Sequence, residues 1–154
     1  MLNFHKEPWP HYTGSLPDDF YNYVKENWNT NEEDKKWNKI KNRSNTFITD
    51  DKIITTLNEV ALDILHKSES VFKKYYPRLD ITKVKCSYSH TFSENPATDT
   101  GFPMRKLHID NGNKMVTGLW YFKNENEDED GGHLRLKNPI TREETQFFYR
   151  ANRI

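Results

Sequence analysis

The sequence has one cysteine, no excess of either charge and no long apolar run, and each of these features excludes a class of protein. Cys86 alone cannot form an internal disulfide, which fits a reducing compartment. The 23 basic and 23 acidic residues cancel, so the overall charge indicates neither a nucleic-acid nor an anionic-membrane partner. No apolar run approaches the roughly 20 residues that span a bilayer. The start "MLNFHKEPWPHY" lacks the pattern of a secretory signal. We therefore expect a cytoplasmic protein.

The chain is instead rich in aromatic residues. Only 34% of its 154 residues are hydrophobic, but 14% are Phe, Tyr or Trp. A chain of this length can form one domain with a proper core. Because each aromatic side chain buries a large area, that core must depend on them. We predict a single domain over residues 1–154, with a helical front over 1–77 and strands over 81–154.

Two helices are predicted in the first half. Pro17 suits the first turn of a helix over 17–28, and the acidic residues after it favour the positive end of the helix dipole. Asp50 can cap a second helix over 51–75, whose apolar residues recur at helical spacing until Pro77. The polar segment 29–50 gives no clear pattern.

After Pro77 the apolar period changes from helical to alternating. In "ITKVKCSYSHTF" one face carries Val84, Cys86, Tyr88, His90 and Phe92. Further short strands are predicted at "MRKLHID", "KMVTGLWYF", "HLRL" and "TQFFYR", separated by turn residues. Several short strands joined by turns predict an antiparallel sandwich or barrel, with the helices packed outside.

One pair of residues on these strands suggests metal chemistry. Residues two apart on a strand point the same way, so His108 and Asp110 project together. With a second histidine from a distant strand, they would form the facial triad of a non-haem Fe(II) site. The alternative is turn chemistry, in which Asp110 bonds the backbone of the following "NGN".

The surroundings of this pair resemble the iron(II)- and 2-oxoglutarate-dependent dioxygenases, in particular the prolyl-4-hydroxylase-like branch found in many bacteria and phages. That family shows His-x-Asp, a strand ending in an aromatic pair, and a loop closing on Gly-Gly-x-Leu. The corresponding segments here are His108 to Asp110, 119–122 and 131–134. "PWPHYTGSLPDDFYNYV" is similar to the family's opening.

The resemblance implies a fold, a chemistry and a site. The fold is a double-stranded β-helix, the jelly-roll or cupin-like α+β fold, with N-terminal flanking helices. The function is that of a hydroxylase, in which Fe(II) held by His108 and Asp110 couples decarboxylation of 2-oxoglutarate to oxidation of a C–H bond, with ascorbate as supporting reductant. Tyr88 is implied as a contact of 2-oxoglutarate, or else it is a core tyrosine. His90 is more simply a packed or rim histidine. The substrate, a small molecule or a peptide, is left open.

The sequence departs from the family at the third metal ligand. The family's second histidine lies on a later strand, and an arginine or lysine that clamps 2-oxoglutarate follows it. Here the only histidine after Asp110 is His133, in a slot that the family usually fills with a polar rim residue. We interpret the chain as a dioxygenase domain that lacks its C-terminal strands, truncated or split, so that a separate fragment or a second copy completes the sheet. The alternative is a non-catalytic jelly-roll remnant that acts as a binding or structural module.

Overall fold

The computed structural model describes residues 2–27, 36–38, 43–94, 108, 110, 114–123 and 132–154. They belong to two compact units. The first combines residues 1–25 with 117–154, and the second comprises 26–116. The expected single dioxygenase-like domain stays a prediction.

The first unit contains two β-hairpins and a helix. Strand β1 (Leu2–His5) pairs antiparallel with β2 (His11–Gly14), and β6 (Leu134–Lys137) pairs antiparallel with β7 (Glu144–Phe147). Helix α1 covers Asp18–Asn27, and its residues up to Lys25 belong to this unit. Side chains tie the hairpins together, because Trp9 Nε1 donates to the Lys137 carbonyl at 2.8 Å and Asn138 Nδ2 donates to the Pro8 carbonyl at 3.0 Å.

The core of the first unit is aromatic, as the composition predicts. Phe20 and Tyr21 are buried on α1. The Phe20 ring stacks on Trp120 with centroids 5.5 Å apart, and the Tyr21 ring stacks on Phe122 at 5.0 Å. Val24, one turn further along the helix, is fully buried. The four-residue spacing of Phe20 and Val24 therefore marks the buried face of α1.

Backbone hydrogen bonds join distant parts of this unit. Gly14 and Ile154 exchange two of them, at 3.0 and 2.9 Å. Tyr121 N donates to the Arg153 carbonyl at 2.9 Å, and Asn152 N donates to the Tyr121 carbonyl at 3.0 Å. The last residues thus lie between the end of β2 and the segment around Tyr121.

The second unit combines a small sheet with helices. Its strands β3 (Lys36–Asn38), β4 (Arg43–Phe47) and β5 (Thr91–Glu94) form an antiparallel sheet in the order β3-β4-β5. Helix α2 covers Asp51–Lys67 and α3 covers Glu69–Tyr75. A short 3-10 helix follows at Ile81–Lys83. Among the described residues of this unit the buried side chains are aliphatic, Ile53, Leu65 and Ile81, so the expected aromatic core is not seen there.

The helix predictions are confirmed, with one interruption. The predicted helix over 17–28 is α1, and Asp18 and Asp19 occupy its first turn. The predicted helix over 51–75 begins as expected, with Asp50 Oδ1 accepting the Ile53 N–H at 2.8 Å. It is divided at Ser68 into α2 and α3. At 17 residues α2 is the longest helix in the described part, and no helix there is long and apolar enough to cross a membrane.

The strand predictions are confirmed in part. β6 confirms the strand at "HLRL", and β7 covers the first half of "TQFFYR". The prediction of a continuous strand over 81–92 is wrong. The segment begins with a 3-10 turn capped by Asp80, and only its last two residues, which belong to β5, pair with a neighbouring strand. The predicted strand "KMVTGLWYF" is also wrong, because residues 114–122 are described and form no strand; their backbone bonds to the last residues are the two made by Tyr121. The described residues show no closed barrel, and the double-stranded β-helix stays a prediction.

Candidate functional site

The structure brings the two predicted metal ligands together. His108 Nε2 lies 3.7 Å from Asp110 Oδ1, and the two side chains are 49% and 38% exposed. The other carboxylate oxygen, Oδ2, lies 3.2 Å from Lys114 Nζ. Both residues lie outside regular strands, and the rest of the predicted strand "MRKLHID" lies outside the described residues.

This geometry can be compared with what one metal ion needs. A ligand nitrogen and oxygen, each about 2.1 Å from an ion and at right angles, are about 3.0 Å apart. The observed 3.7 Å is longer, but both side chains are partly exposed and can turn. The donor types fit Fe(II) or Mn(II), which accept imidazole and carboxylate together. Lys114 opposes a bound cation, because its ammonium group already neutralises the carboxylate.

The described residues do not supply a complete ligand set. Among them no group of three His, Cys, Asp or Glu side chains could hold a metal ion. His133 belongs to the first unit, where its Nδ1 accepts the Tyr149 N–H at 3.0 Å and its ring meets Phe148 edge to face. These two contacts fix the residues that follow β7, so His133 has a structural role.

The structure also describes His5, His11 and His66. His5 and His11 are opposite each other in the β1–β2 register, with ring centroids 4.8 Å apart. His66 is exposed in the last turn of α2. In the part of the chain that the structure describes, none of them joins a group of three metal donors.

Tyr88 and His90 line a second feature, here called the Tyr88 cleft. This cavity of about 360 Å³ lies in the second unit, between α2 and the segments at 47–48 and 88–90. Its apolar lining is Phe47, Ile48, Ile54 and Tyr88, and its polar lining is Asn58, Ser89 and His90. Tyr88 is therefore a partly exposed wall residue rather than a core tyrosine, and its contact with 2-oxoglutarate stays a prediction.

A hydrogen bond fixes one side of this cleft. His90 Nε2 lies 2.7 Å from Asn58 Oδ1 on α2. Because a side-chain carbonyl oxygen only accepts, Nε2 carries the proton and donates. The His90 carbonyl also accepts the Ile48 N–H at 3.3 Å. Burial lowers the pKa of His90 below its ordinary value of 6.5, since it disfavours the charged ring.

Sequence reasoning missed Asn58. It lies on the half-buried face of α2, 32 residues before its histidine partner, and no local pattern joins the two. Two other charged groups lie outside the described residues. From the sequence, Arg105 and Lys106 are edge-strand charges or contacts of an anionic substrate, and the acidic run over 125–130 is a solvated loop or a docking site for a basic segment.

Comparison with known proteins identifies no relative: no family model, no curated protein and no solved structure matches this chain.

Proposed function

We propose that this chain is a cytoplasmic Fe(II)- and 2-oxoglutarate-dependent dioxygenase domain that hydroxylates a small molecule or a peptide. The observation that supports the proposal is the approach of His108 Nε2 to Asp110 Oδ1, at 3.7 Å. An imidazole nitrogen and a carboxylate oxygen are two of the three protein ligands of a facial triad, and small rotations of these two partly exposed side chains would shorten 3.7 Å to the roughly 3.0 Å that one ion needs. The bound iron and co-substrate would supply the oxidising chemistry.

The proposal assigns specific tasks to the residues of this chain. His108 donates a nitrogen lone pair and Asp110 donates a negative charge, so together they neutralise part of the charge on a divalent ion. All six histidines of this chain are among the described residues, and none of the others forms a group of three donors with His108 and Asp110. A second histidine ligand therefore has to come from a separate fragment or a second copy of the chain, which would also supply the cation that holds the distal carboxylate of 2-oxoglutarate. Because two protein donors leave most positions to water, we expect the chain alone to bind the metal weakly.

Anaerobic calorimetric titration with Mn(II) tests this proposal. We expect weak binding that is lost in His108→Ala and in Asp110→Ala. His66→Ala is the matched control, because it removes an exposed histidine of the same unit and should leave the affinity unchanged. Lys114→Met should raise the affinity several-fold, because the competing ammonium group is gone. Binding that survives both alanine variants would refute the assignment.

The contact between Lys114 and Asp110 favours a second candidate, a non-catalytic jelly-roll module in which the pair is structural. A carboxylate already paired with a lysine at 3.2 Å needs no metal ion to satisfy its charge. If this candidate is correct, Mn(II) does not bind to the wild type or to Lys114→Met.

A further inference from the structure

We infer that the Tyr88 cleft binds a small, uncharged aromatic molecule that carries hydrogen-bonding groups. This inference is independent of the proposed iron chemistry, because it concerns different residues and a different class of ligand. It also assigns Tyr88 to this aromatic ligand, whereas the family resemblance implies that Tyr88 contacts 2-oxoglutarate.

The size and walls of the cleft suit an aromatic ring. Its volume of about 360 Å³ lies near the lower end of typical small-molecule pockets, which start at about 300 Å³. Two of its wall residues are exposed aromatics, with Phe47 62% and Tyr88 40% exposed. Exposed aromatic surface on a concave site is typical of ligand contact, because a bound ring would remove it from water.

The polar side of the cleft offers both a donor and an acceptor. Since His90 donates through Nε2 to Asn58 Oδ1, its Nδ1 is left with a lone pair. The Asn58 amide nitrogen keeps its two N–H donors. Among the described residues neither atom has a hydrogen-bond partner, so a ligand with an adjacent donor and acceptor could satisfy both.

The charge of the cleft favours a neutral ligand. None of the described residues that line it is Asp, Glu, Lys or Arg. Its imidazole is held neutral at physiological pH, because burial lowers the pKa of His90. An anion would lose hydration there and gain no cationic partner, so 2-oxoglutarate is a poor occupant.

The test compares three probes on the full chain by nuclear magnetic resonance. Benzamide is neutral and aromatic and has an amide donor and acceptor. Benzoate has the same size and carries a charge, and 2-oxoglutarate is the proposed co-substrate. We expect benzamide to shift the resonances of Phe47, Asn58 and Tyr88 and to bind at least about tenfold more tightly than either anion. Equal or tighter binding of benzoate or 2-oxoglutarate at these residues would overturn the inference.

Two variants locate the binding. Asn58→Ala removes the amide and should weaken benzamide binding about tenfold, while alanine, a better helix former, keeps α2 folded. Tyr75→Ala is the matched control, because it removes an exposed tyrosine from a separate apolar surface at 75–79. It should leave benzamide affinity unchanged. If Asn58→Ala binds benzamide as the wild type does, or if Tyr75→Ala abolishes binding, the Tyr88 cleft is not the site.

Discussion

At the scale of single residues, Asn152 is held by three side-chain hydrogen bonds. Its side chain is buried, with 9% exposure, and its amide nitrogen donates to the Leu16 carbonyl and to Asp18 Oδ1, both at 2.9 Å. Its amide oxygen accepts from Trp120 Nε1 at 3.0 Å. Its φ of 55° lies in the left-handed region, where asparagine is better tolerated than other residues with a Cβ. One side chain therefore connects the start of α1, the aromatic core and the end of the chain.

We predict that Asn152→Ala lowers the free energy of unfolding by about 2–4 kcal/mol, because it leaves buried polar groups unpaired. Denaturant titration followed by tryptophan fluorescence measures the loss. Asn152→Gly also removes the amide but relieves the left-handed backbone, so its loss should be smaller by about 1 kcal/mol. Equal stabilities of wild type and Asn152→Ala would contradict this role of the hydrogen bonds.

His90 should make stability depend on pH. Its folded pKa is lowered by burial, so between that value and 6.5 the unfolded chain binds more protons than the folded chain. The contribution of His90 to stability is therefore complete above pH 6.5 and is lost as pH falls through the folded pKa. His90→Gln should flatten this part of the stability profile, whereas the exposed His66→Gln should not. Denaturant midpoints measured between pH 7.5 and 5 would show the difference, and parallel profiles of wild type and His90→Gln would exclude it.

At the scale of elements, the start of α2 offers a direct test. Asp50 Oδ1 accepts the Ile53 N–H at 2.8 Å and satisfies one of the unpaired donors of the first turn. We predict that Asp50→Ala costs about 1 kcal/mol of stability, while Asp50→Asn, which keeps a capping oxygen, costs less than half of that. Thermal unfolding followed by circular dichroism compares the three proteins. Equal losses in both variants would mean that the charge of Asp50 matters more than its capping bond.

Helix starts could be predicted from the sequence, whereas strands could be predicted only in part. Capping residues and acidic first turns act within one turn, so they predict where α1 and α2 begin. A strand depends on a partner that can be distant in sequence. The alternation over 84–92 is real, yet β4 pairs only with the last part of it, at Thr91–Glu94. The residues from Val84 to His90 have no ladder partner in the described part, so the pattern overstates the strand.

Of the two residue pairs at the candidate sites, one could be predicted from the sequence and the other could not. His108 and Asp110 are two residues apart, so their proximity follows from the chain itself and could be predicted. The pair formed by Asn58 and His90 spans 32 residues and depends on how α2 lies beside the segment 88–90. Only the folded structure reveals it.

At the scale of the whole molecule, the proposed activity gives a further prediction. The chain with Fe(II), ascorbate and 2-oxoglutarate should form no succinate above background, because the described residues provide two metal donors and no third. Mass spectrometry of succinate tests this, with Asp110→Ala as the matched control. Turnover by the wild type that is lost in Asp110→Ala would contradict this prediction and would point to His133 or to another chain as the source of the third ligand.

The pairing of Gly14 with Ile154 also affects how the protein is made. The first unit joins segments that are distant in sequence, with Pro8 bonded to a residue 130 positions later and Leu16 to one 136 positions later. The first hairpin and α1 leave the ribosome well before residues 117–154 are synthesised. Until then Phe20 and Tyr21 lack their ring partners Trp120 and Phe122, and their apolar surface remains available to chaperones or to other nascent chains. Non-local closure of this kind is slow, so the first unit should be the later of the two to fold during translation.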